Sequence, residues 1–205
     1  MERKIKVLIV EDDEDFAYLI RRELEKHSGI EIAGSCAECG SAVDLACSLE
    51  PDIVLMDLHL GSSTMEGIDA SREIRVSTDA KVLIFTAHDE ENVVEEASRQ
   101  AFASGYILKS QIPLLVENIY ALAAGGTGQE KLLLHMALSE LTNAEKDVFW
   151  KLMGYPSGAR MSKKTEANHM TNILKKLKLE NKKEIRHIFK ILNAPQGGQK
   201  PPSGI

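Results

Sequence analysis

Five short apolar runs in the first 125 residues constrain the fold more than any other feature of the sequence. They are rich in Val, Ile and Leu, and they comprise Lys6–Val10, Ile30–Ala33, Asp52–Met56, Lys81–Phe85 and Gly105–Leu108. Runs of this length are typical of strands that are buried on both faces, as in a parallel sheet. Segments with apolar residues at helical spacing separate them. The alternation predicts a doubly wound α/β domain.

A glycine-rich stretch, Gly125–Gly128, interrupts this alternation, and the sequence after it is helical in pattern. We therefore predict an α/β domain over residues 1–125, a linker over 126–139 and a second, smaller all-α domain over 140–193. The last twelve residues contain Pro and Gly without periodicity, so we expect residues 194–205 to form a disordered tail.

Charge is distributed unevenly between these parts. Residues 1–140 contain 26 acidic and 12 basic side chains, whereas residues 141–193 contain 5 acidic and 12 basic ones. The basic part therefore suits a nucleic-acid partner. No apolar run approaches the roughly 20 residues that cross a bilayer, so we expect a cytoplasmic protein without membrane contact. Cys36 and Cys39 form a C-x-x-C pair, which we expect to pack at a strand–helix junction rather than to bind a metal.

Several chemically active side chains follow the predicted strands. Glu11 and Asp12 follow the first strand, Asp57 the third, Thr86 the fourth and Lys109 the fifth. The carboxyl ends of parallel strands meet at one edge of a sheet, where ligands bind. Clustered carboxylates repel one another unless a cation such as Mg²⁺ neutralises them. Taken singly, such residues are commonly helix caps, turn formers or solvated side chains, but together they predict a phosphoryl site with Asp57 as nucleophile.

Four segments, VLIVEDD, DIVLMDLHL, VLIFTAHD and ASGYILKS, resemble the signature segments of the response-regulator receiver domain, in order, over residues 1–125. The resemblance implies a flavodoxin-like five-stranded parallel sheet of order 2-1-3-4-5. It also implies that a sensor histidine kinase phosphorylates Asp57. Glu11, Asp12 and Asp57 would hold Mg²⁺ together with the backbone carbonyl of His59.

The resemblance assigns further roles near this site. Lys109 and Thr86 would contact the phosphoryl group, and Thr86 and Tyr106 would form a switch pair in which the aromatic ring follows the hydroxyl inward. Asp13 is better explained as a helix cap than as a metal ligand. His59 and His88 each lie two residues beyond a key position, and we hypothesise that they tune hydrolysis of the phosphoryl group. The alternative is that both are exposed polar loop residues.

The segment after the acceptor departs from the family pattern. Receiver domains usually have a Pro soon after the acceptor and a Gly about eight residues on, whereas this chain has no Pro there and reaches Gly67 two residues later. We therefore expect a longer and softer loop beside the site.

The basic segment resembles the NarL/LuxR-type helix-turn-helix. Leu141, Thr142 and Glu145 match its first part, and Thr142 with Glu145 also form a predicted capping box. The second part matches at Thr165, His169, Ile173, Leu174, Lys176 and Leu177. By this resemblance the side chains that contact DNA are Lys163, Lys164, Thr165, Asn168, His169 and Lys176. A solvated basic face on an ordinary packed helix is the alternative.

This second resemblance is incomplete. Only Gly154–Met161 stands where the family has a scaffold helix, and Pro156 and Gly158 disfavour a helix there. Glu166 and Ala167 replace the usual Val and Lys. Either a segment is missing or the output domain has diverged.

Three functions are compatible with these features. The first is a two-component response regulator that is phosphorylated on Asp57, dimerises and controls transcription by binding double-stranded DNA. The second is a phosphorylation-dependent protein-interaction switch with a degenerate output domain. The third, an enzyme in its own right, is disfavoured because the only visible chemistry is acceptance and slow hydrolysis of a phosphoryl group at Asp57.

Overall fold

Five parallel strands form one sheet in this computed structural model, which describes residues 3–60, 64–156 and 161–193. The strands are β1 (Ile5–Val10), β2 (Ile30–Cys36), β3 (Ile53–Met56), β4 (Lys81–Thr86) and β5 (Gly105–Leu108). Their order is β2-β1-β3-β4-β5 and all pairs are parallel, which confirms the predicted order 2-1-3-4-5. The second strand runs three residues beyond its predicted end at Ala33, and Cys36 and Cys39 lie at the junction with the next helix.

Helices connect the strands and form the C-terminal part. They are α1 (Glu14–Leu24), α2 (Cys39–Leu49), α3 (Thr64–Ser77), α4 (Glu91–Gln100), α5 (Leu115–Ala124), α6 (Gly128–Ala137), α7 (Asn143–Leu152), α8 (Lys163–Leu177) and α9 (Lys182–Ile188). Two 3-10 segments, Lys109–Leu114 and Lys190–Leu192, precede α5 and follow α9. Over the described ranges, no helix combines the length and the apolar character that spanning a membrane requires.

The sheet is buried on both faces. Successive residues of a strand point to opposite sides. Leu8 and Val10 of β1 accordingly lie in one core cluster, whereas Val7 and Ile9 lie in the other. Alternation of this kind requires apolar residues at every position of the strand, which explains why the runs in the sequence are continuous.

Two helix caps were predicted from the sequence, and both are present. The Asp13 side chain accepts a hydrogen bond from the backbone N–H of Phe16, at 3.0 Å, and begins α1. Thr142 and Glu145 form a reciprocal capping box at the start of α7. These bonds satisfy backbone donors that the first turn of a helix leaves unpaired.

The chain divides into two compact units, Met1–Leu133 and Leu134–Ile205. The predicted linker, residues 126–139, contains α6, and the division falls within this helix. In the second unit, Phe149 packs edge-on against Phe189 with ring centroids 5.1 Å apart. The predicted disordered tail, residues 194–205, lies outside the described residues.

Helices α7 and α8 pack antiparallel within the second unit. Glu145 near the start of α7 pairs with Lys176 near the end of α8, and Lys151 near the end of α7 pairs with Glu166 near the start of α8. The described residues of the connection, 153–156 and 161–162, are not helical. Residues 157–160, which include Gly158, lie outside the described range.

Candidate functional site

Three carboxylates meet at the carboxyl end of the sheet. Glu11 and Asp12 follow β1, and Asp57 follows β3, so that each offers one oxygen within 4.8 Å of the others. Glu11 and Asp57 are buried, whereas Asp12 is exposed. No other set of three or more His, Cys, Asp or Glu side chains suited to a metal ion was found in the described part of the chain. Oxygen donors with one open side fit a hard divalent cation that keeps some water, as Mg²⁺ does.

Lys109 joins two of these carboxylates. Its Nζ atom lies 2.7 Å from Oδ2 of Asp57 and 2.7 Å from Oε2 of Glu11. The ammonium also lies 4.5 Å from the ring centroid of Phe16, which covers it from the side of α1. Burial alone lowers the pKa of Lys109, but its hydrogen bonds to Asp57 and Glu11 outweigh burial, and the pKa is raised. The ammonium therefore stays charged beside Asp57 at neutral pH.

Glu11 shows the opposite balance. Burial raises its pKa above the ordinary value of 4.5, and the charge of Asp57 adds to the increase. The hydrogen bond and positive charge of Lys109 only partly oppose this effect. Because a metal needs the ionised carboxylate, protons compete for Glu11 from a higher pH than they would at an exposed glutamate.

The backbone around Asp57 is held in place from several sides. Its amide donates to the carbonyl of Val10 at 3.0 Å, and its Oδ1 accepts from the amide of His59 at 3.1 Å. A Cβ atom at Gly67 would lie 2.7 Å from the carbonyl oxygen of Asp57 and 2.7 Å from Cα of Leu58. Glycine is therefore required where α3 passes Asp57. The expected soft loop includes residues 61–63, which lie outside the described range.

Thr86 and Tyr106 both contact the loop after β4. Thr86 is fully buried and its Oγ1 accepts from the amide of His88 at 3.4 Å. The Tyr106 hydroxyl donates to the carbonyl of His88 at 2.8 Å. Burial, with the negative charges of Glu90, Asp57 and Asp89, raises the pKa of Tyr106 to about 12, so the phenol remains a donor. The two members of the predicted switch pair thus share one backbone segment.

The two histidines of the earlier hypothesis lie side by side. The ring centroids of His59 and His88 are 5.2 Å apart, and Nδ1 of His88 lies 2.9 Å from Oε2 of Glu90. This places a pair of imidazoles next to Asp57 and Thr86. The carbonyl of His59 stays a predicted metal ligand.

All six predicted DNA contacts lie on α8, and five of them cluster in its first half. Lys163, Lys164, Thr165 and Asn168 are exposed, and His169 is half-buried. The ammonium of Lys176 points elsewhere. It lies 2.7 Å from Oε2 of the buried Glu145 and 3.0 Å from the carbonyl oxygen of Glu140. The position of Glu145 in a capping box was visible in the sequence, but its bond to Lys176 was not.

Glu166, which replaces a family Val, is also engaged within the domain. Its Oε2 lies 2.6 Å from Nζ of Lys151, and this hydrogen bond lowers the pKa of Glu166 more than its slight desolvation raises it. The carboxylate is therefore drawn toward α7 rather than left alone on the surface of α8.

Comparison with known proteins defines the class. The model of the response regulator receiver domain matches residues 7–120, more than half of the chain, so the chain belongs to this family. More specifically, it is a two-component response regulator of the LuxR/NarL family. A LuxR-family response regulator from Aurantimonas sp. SI85-9A1 is 31% identical, with a TM-score of 0.56, over 68% of this chain and 99% of that structure.

Relatives of full length support the same assignment. The transcriptional regulatory protein DegU of Brevibacillus brevis is 26% identical over 88% of this chain and 91% of its own length. The nitrate/nitrite response regulator protein NarP of Escherichia coli (strain K12) is 29% identical over 86% of this chain and 90% of its own length. The RcsB response regulator of Salmonella typhimurium, 18% identical with a TM-score of 0.54 over 92% of this chain, shares the fold.

Proposed function

We propose that this chain is a cytoplasmic regulator that receives a phosphoryl group on Asp57 from a sensor histidine kinase and controls transcription by binding DNA. One observation carries the proposal. The Asp57 carboxylate lies 2.7 Å from the Lys109 ammonium, and Glu11 and Asp12 offer oxygens within 4.8 Å. An acceptor, a cation and a metal-ligand set thus share one edge of the sheet.

The chemistry is a transfer between two side chains. A carboxylate oxygen of Asp57 bonds to phosphorus while the bond from phosphorus to the donor imidazole nitrogen breaks, and the imidazole leaves with the electron pair. When bound by Glu11, Asp12 and Asp57, Mg²⁺ neutralises charge on the phosphoryl oxygens. Lys109 supplies a second positive charge at hydrogen-bond distance from the acceptor. Apart from losing its own phosphoryl group, the chain performs no enzymatic turnover in this proposal.

The signal then passes through Thr86 and Tyr106. The Thr86 hydroxyl moves toward the new phosphoryl group, and the Tyr106 ring follows it inward. Support comes from their shared contacts with His88, since Thr86 accepts from its amide and Tyr106 donates to its carbonyl. A shift of this backbone segment therefore reaches both side chains.

The output is DNA binding by the exposed basic part of α8, with dimerisation on phosphorylation. Lys163 and Lys164 occupy the first turn of α8. A positive charge at a helix N-terminus is unfavourable by about 0.3–1 kcal/mol, so these lysines do not serve helix stability. Binding of DNA phosphates would explain why lysines occupy the first turn of α8. DegU, a full-length relative, is a transcriptional regulatory protein by name.

A second candidate is phosphorylation-dependent binding of a protein. The contacts of α8 favour it, because Lys176 is bonded to Glu145 and a carboxylate, Glu166, lies near the predicted DNA contacts. The non-helical connection at residues 153–156 also departs from the family pattern.

Titration with duplex DNA separates the two candidates. The protein is treated with acetyl phosphate and Mg²⁺, and oligomer size and duplex affinity are measured with and without treatment at low and raised salt. We expect a larger species and tighter binding after phosphorylation, with affinity falling steeply as salt rises. Absence of binding to any duplex by phosphorylated protein at low salt would contradict the first candidate and favour the second.

A further inference from the structure

A second group of charged side chains is buried far from the acceptor site. Arg75 lies in the last turn of α3, Lys81 begins β4, Ser104 precedes β5 and Glu130 lies in the first turn of α6. We call these four residues the anchor cluster. The side chains of Glu130 and Arg75 are only 3% and 5% exposed. Phosphoryl chemistry at the opposite end of the strands does not require any of them.

Glu130 is the centre of the anchor cluster. Its Oε2 lies 2.9 Å from Nζ of Lys81, and its Oε1 accepts from Oγ of Ser104 at 3.0 Å. A guanidinium nitrogen of Arg75 lies 4.0 Å from Oε1. Burial of a carboxylate is unfavourable unless such partners compensate it. The carboxylate is therefore held by groups from β4, from the residue before β5 and from α3.

Arg75 extends the cluster to the turn that precedes β5. Its Nε donates to the carbonyl of Phe102 and its Nη1 donates to the carbonyl of Ala80, both at 3.1 Å. Phe102 has a φ of 50°, a left-handed conformation that bulky side chains rarely adopt. The bond from Arg75 thus holds a strained residue in place. Burial lowers the pKa of Arg75, and the negative charges of Glu130 and Asp79 oppose that effect.

The start of α6 is also built into the first unit by neighbours of Glu130. Gln129 donates from Nε2 to the carbonyl of Tyr106 at 3.1 Å. Leu133 is buried and belongs to the core cluster on one face of the sheet. Gln129, Glu130 and Leu133 lie beyond the segment 7–120 that matches the receiver family, whereas their partners lie within it. The attachment therefore joins a helix outside the matched segment to strands inside it.

We propose that Glu130 fastens α6 to β4 and β5 and makes α6 respond to the state of Asp57. The second half of this statement rests on the proposed function. The physical basis is the length of β5, which has only four residues. One end of this strand leads to Lys109, its second residue is Tyr106, and Ser104 of the anchor cluster precedes its other end. Movement of Tyr106 would therefore disturb the hydrogen bond from Gln129 to its carbonyl and the bond from Ser104 to Glu130.

Hydrogen exchange of the full-length protein tests the attachment. Glu130→Gln keeps the shape of the side chain and removes the charge that compensates Arg75 and Lys81. Glu117→Gln, an exposed change one helix earlier, is the matched control. We expect the amides of α6 to exchange at least tenfold faster in Glu130→Gln and at the wild-type rate in the control. Equal exchange in all three proteins would overturn the proposal.

A milder variant provides a second test in case Glu130→Gln does not fold. Ser104→Ala removes one hydrogen bond to the same carboxylate and leaves both cations. We expect a smaller acceleration, confined to α6 and β5, with an unchanged circular dichroism spectrum. Wild-type exchange of α6 in Ser104→Ala, or acceleration spread evenly over the whole first unit, would count against the anchor.

The coupling is tested by repeating the exchange after treatment with acetyl phosphate and Mg²⁺. Phosphorylation should change the exchange of α6 in the wild type and leave it unchanged in Glu130→Gln, although both become phosphorylated at the same rate. Phosphorylated wild-type protein with unaltered α6 would overturn the coupling. If the wild type is not phosphorylated, both the proposed function and the coupling are contradicted. Hydrogen exchange of the untreated proteins tests the attachment of α6 independently of that result.

Discussion

The acceptor site and the exposed part of α8 are both clusters of charge, but they are built in opposite ways. At the candidate acceptor site, side chains that follow β1, β3 and β5 converge, and Lys109 bonds to two carboxylates at once. On α8, most of the charged groups lie along one helix and face solvent. At a site where strands converge, the position of a residue at the end of its strand determines which side chains it contacts. On a helix surface, contacts with neighbouring helices decide which lysine is free to bind a partner.

Apart from loss of Asp57 itself, removal of Lys109 is the largest expected effect at the converging site. Lys109→Met leaves Glu11 and Asp57 without their shared cation. We expect the phosphorylation-dependent change in duplex affinity to shrink at least tenfold, about 1.4 kcal/mol. Exposed Lys4→Met is the control and should respond normally. A Lys109→Met protein that stays folded and signals like the wild type would show that this ammonium is not needed for the response to phosphorylation.

Gly67 tests how tightly the acceptor loop is packed. Gly67→Ala forces a Cβ atom against Asp57 and Leu58, and overpacking of this kind costs about 1–3 kcal/mol of unfolding free energy. Gly40→Ala in α2 meets no atom within 4 Å and should instead stabilise the protein by about 0.5–1 kcal/mol. Denaturant unfolding measures both. Equal effects of the two changes would show that α3 does not constrain the acceptor.

Lys164 and Lys176 were both predicted to contact DNA, but their surroundings on α8 differ. Lys176→Met leaves the buried Glu145 without its ammonium partner and should lower stability by about 1–3 kcal/mol. Lys164→Met should change stability by less than about 0.5 kcal/mol but reduce the slope of log affinity against log salt by about one. Unfolding curves and salt titrations measure these effects. If Lys176→Met instead reduced the salt slope and left stability unchanged, Lys176 would be a DNA contact.

The smallest expected effect concerns the histidine pair. A protein with His59→Ala and His88→Ala should keep the acceptor and lose its phosphoryl group at a rate that differs a few-fold from the wild-type rate. Loss of phosphoprotein with time measures the rate, and His27→Ala serves as control. Equal lifetimes for the wild type and the double variant would leave the pair as ordinary loop residues.

The fold and the local caps could be predicted because they depend on neighbouring residues. Continuous apolar runs located the strands to within a few residues, and the capping-box rule identified Thr142 as the cap of α7. Resemblance to the receiver family supplied the strand order. The candidate acceptor site was predictable for a similar reason, since residues that follow parallel strands must lie at one edge of the sheet.

The long-range ion pairs could not be predicted in this way. Lys176 and Glu145 are 31 residues apart, and Lys81 and Glu130 are 49 residues apart. Nothing in the local pattern distinguishes Glu130 from a solvated glutamate in a linker. Such partners depend on how helices pack, which a periodic pattern does not specify.

The most direct test of the account is labelling of Asp57 itself. Wild type, Asp57→Asn and the exposed-site control Asp44→Asn are incubated with acetyl phosphate, with and without Mg²⁺, and their intact masses are compared. We expect one phosphoryl group on the wild type and on the control only when Mg²⁺ is present, and none on Asp57→Asn. Labelling of Asp57→Asn at the wild-type rate would contradict it.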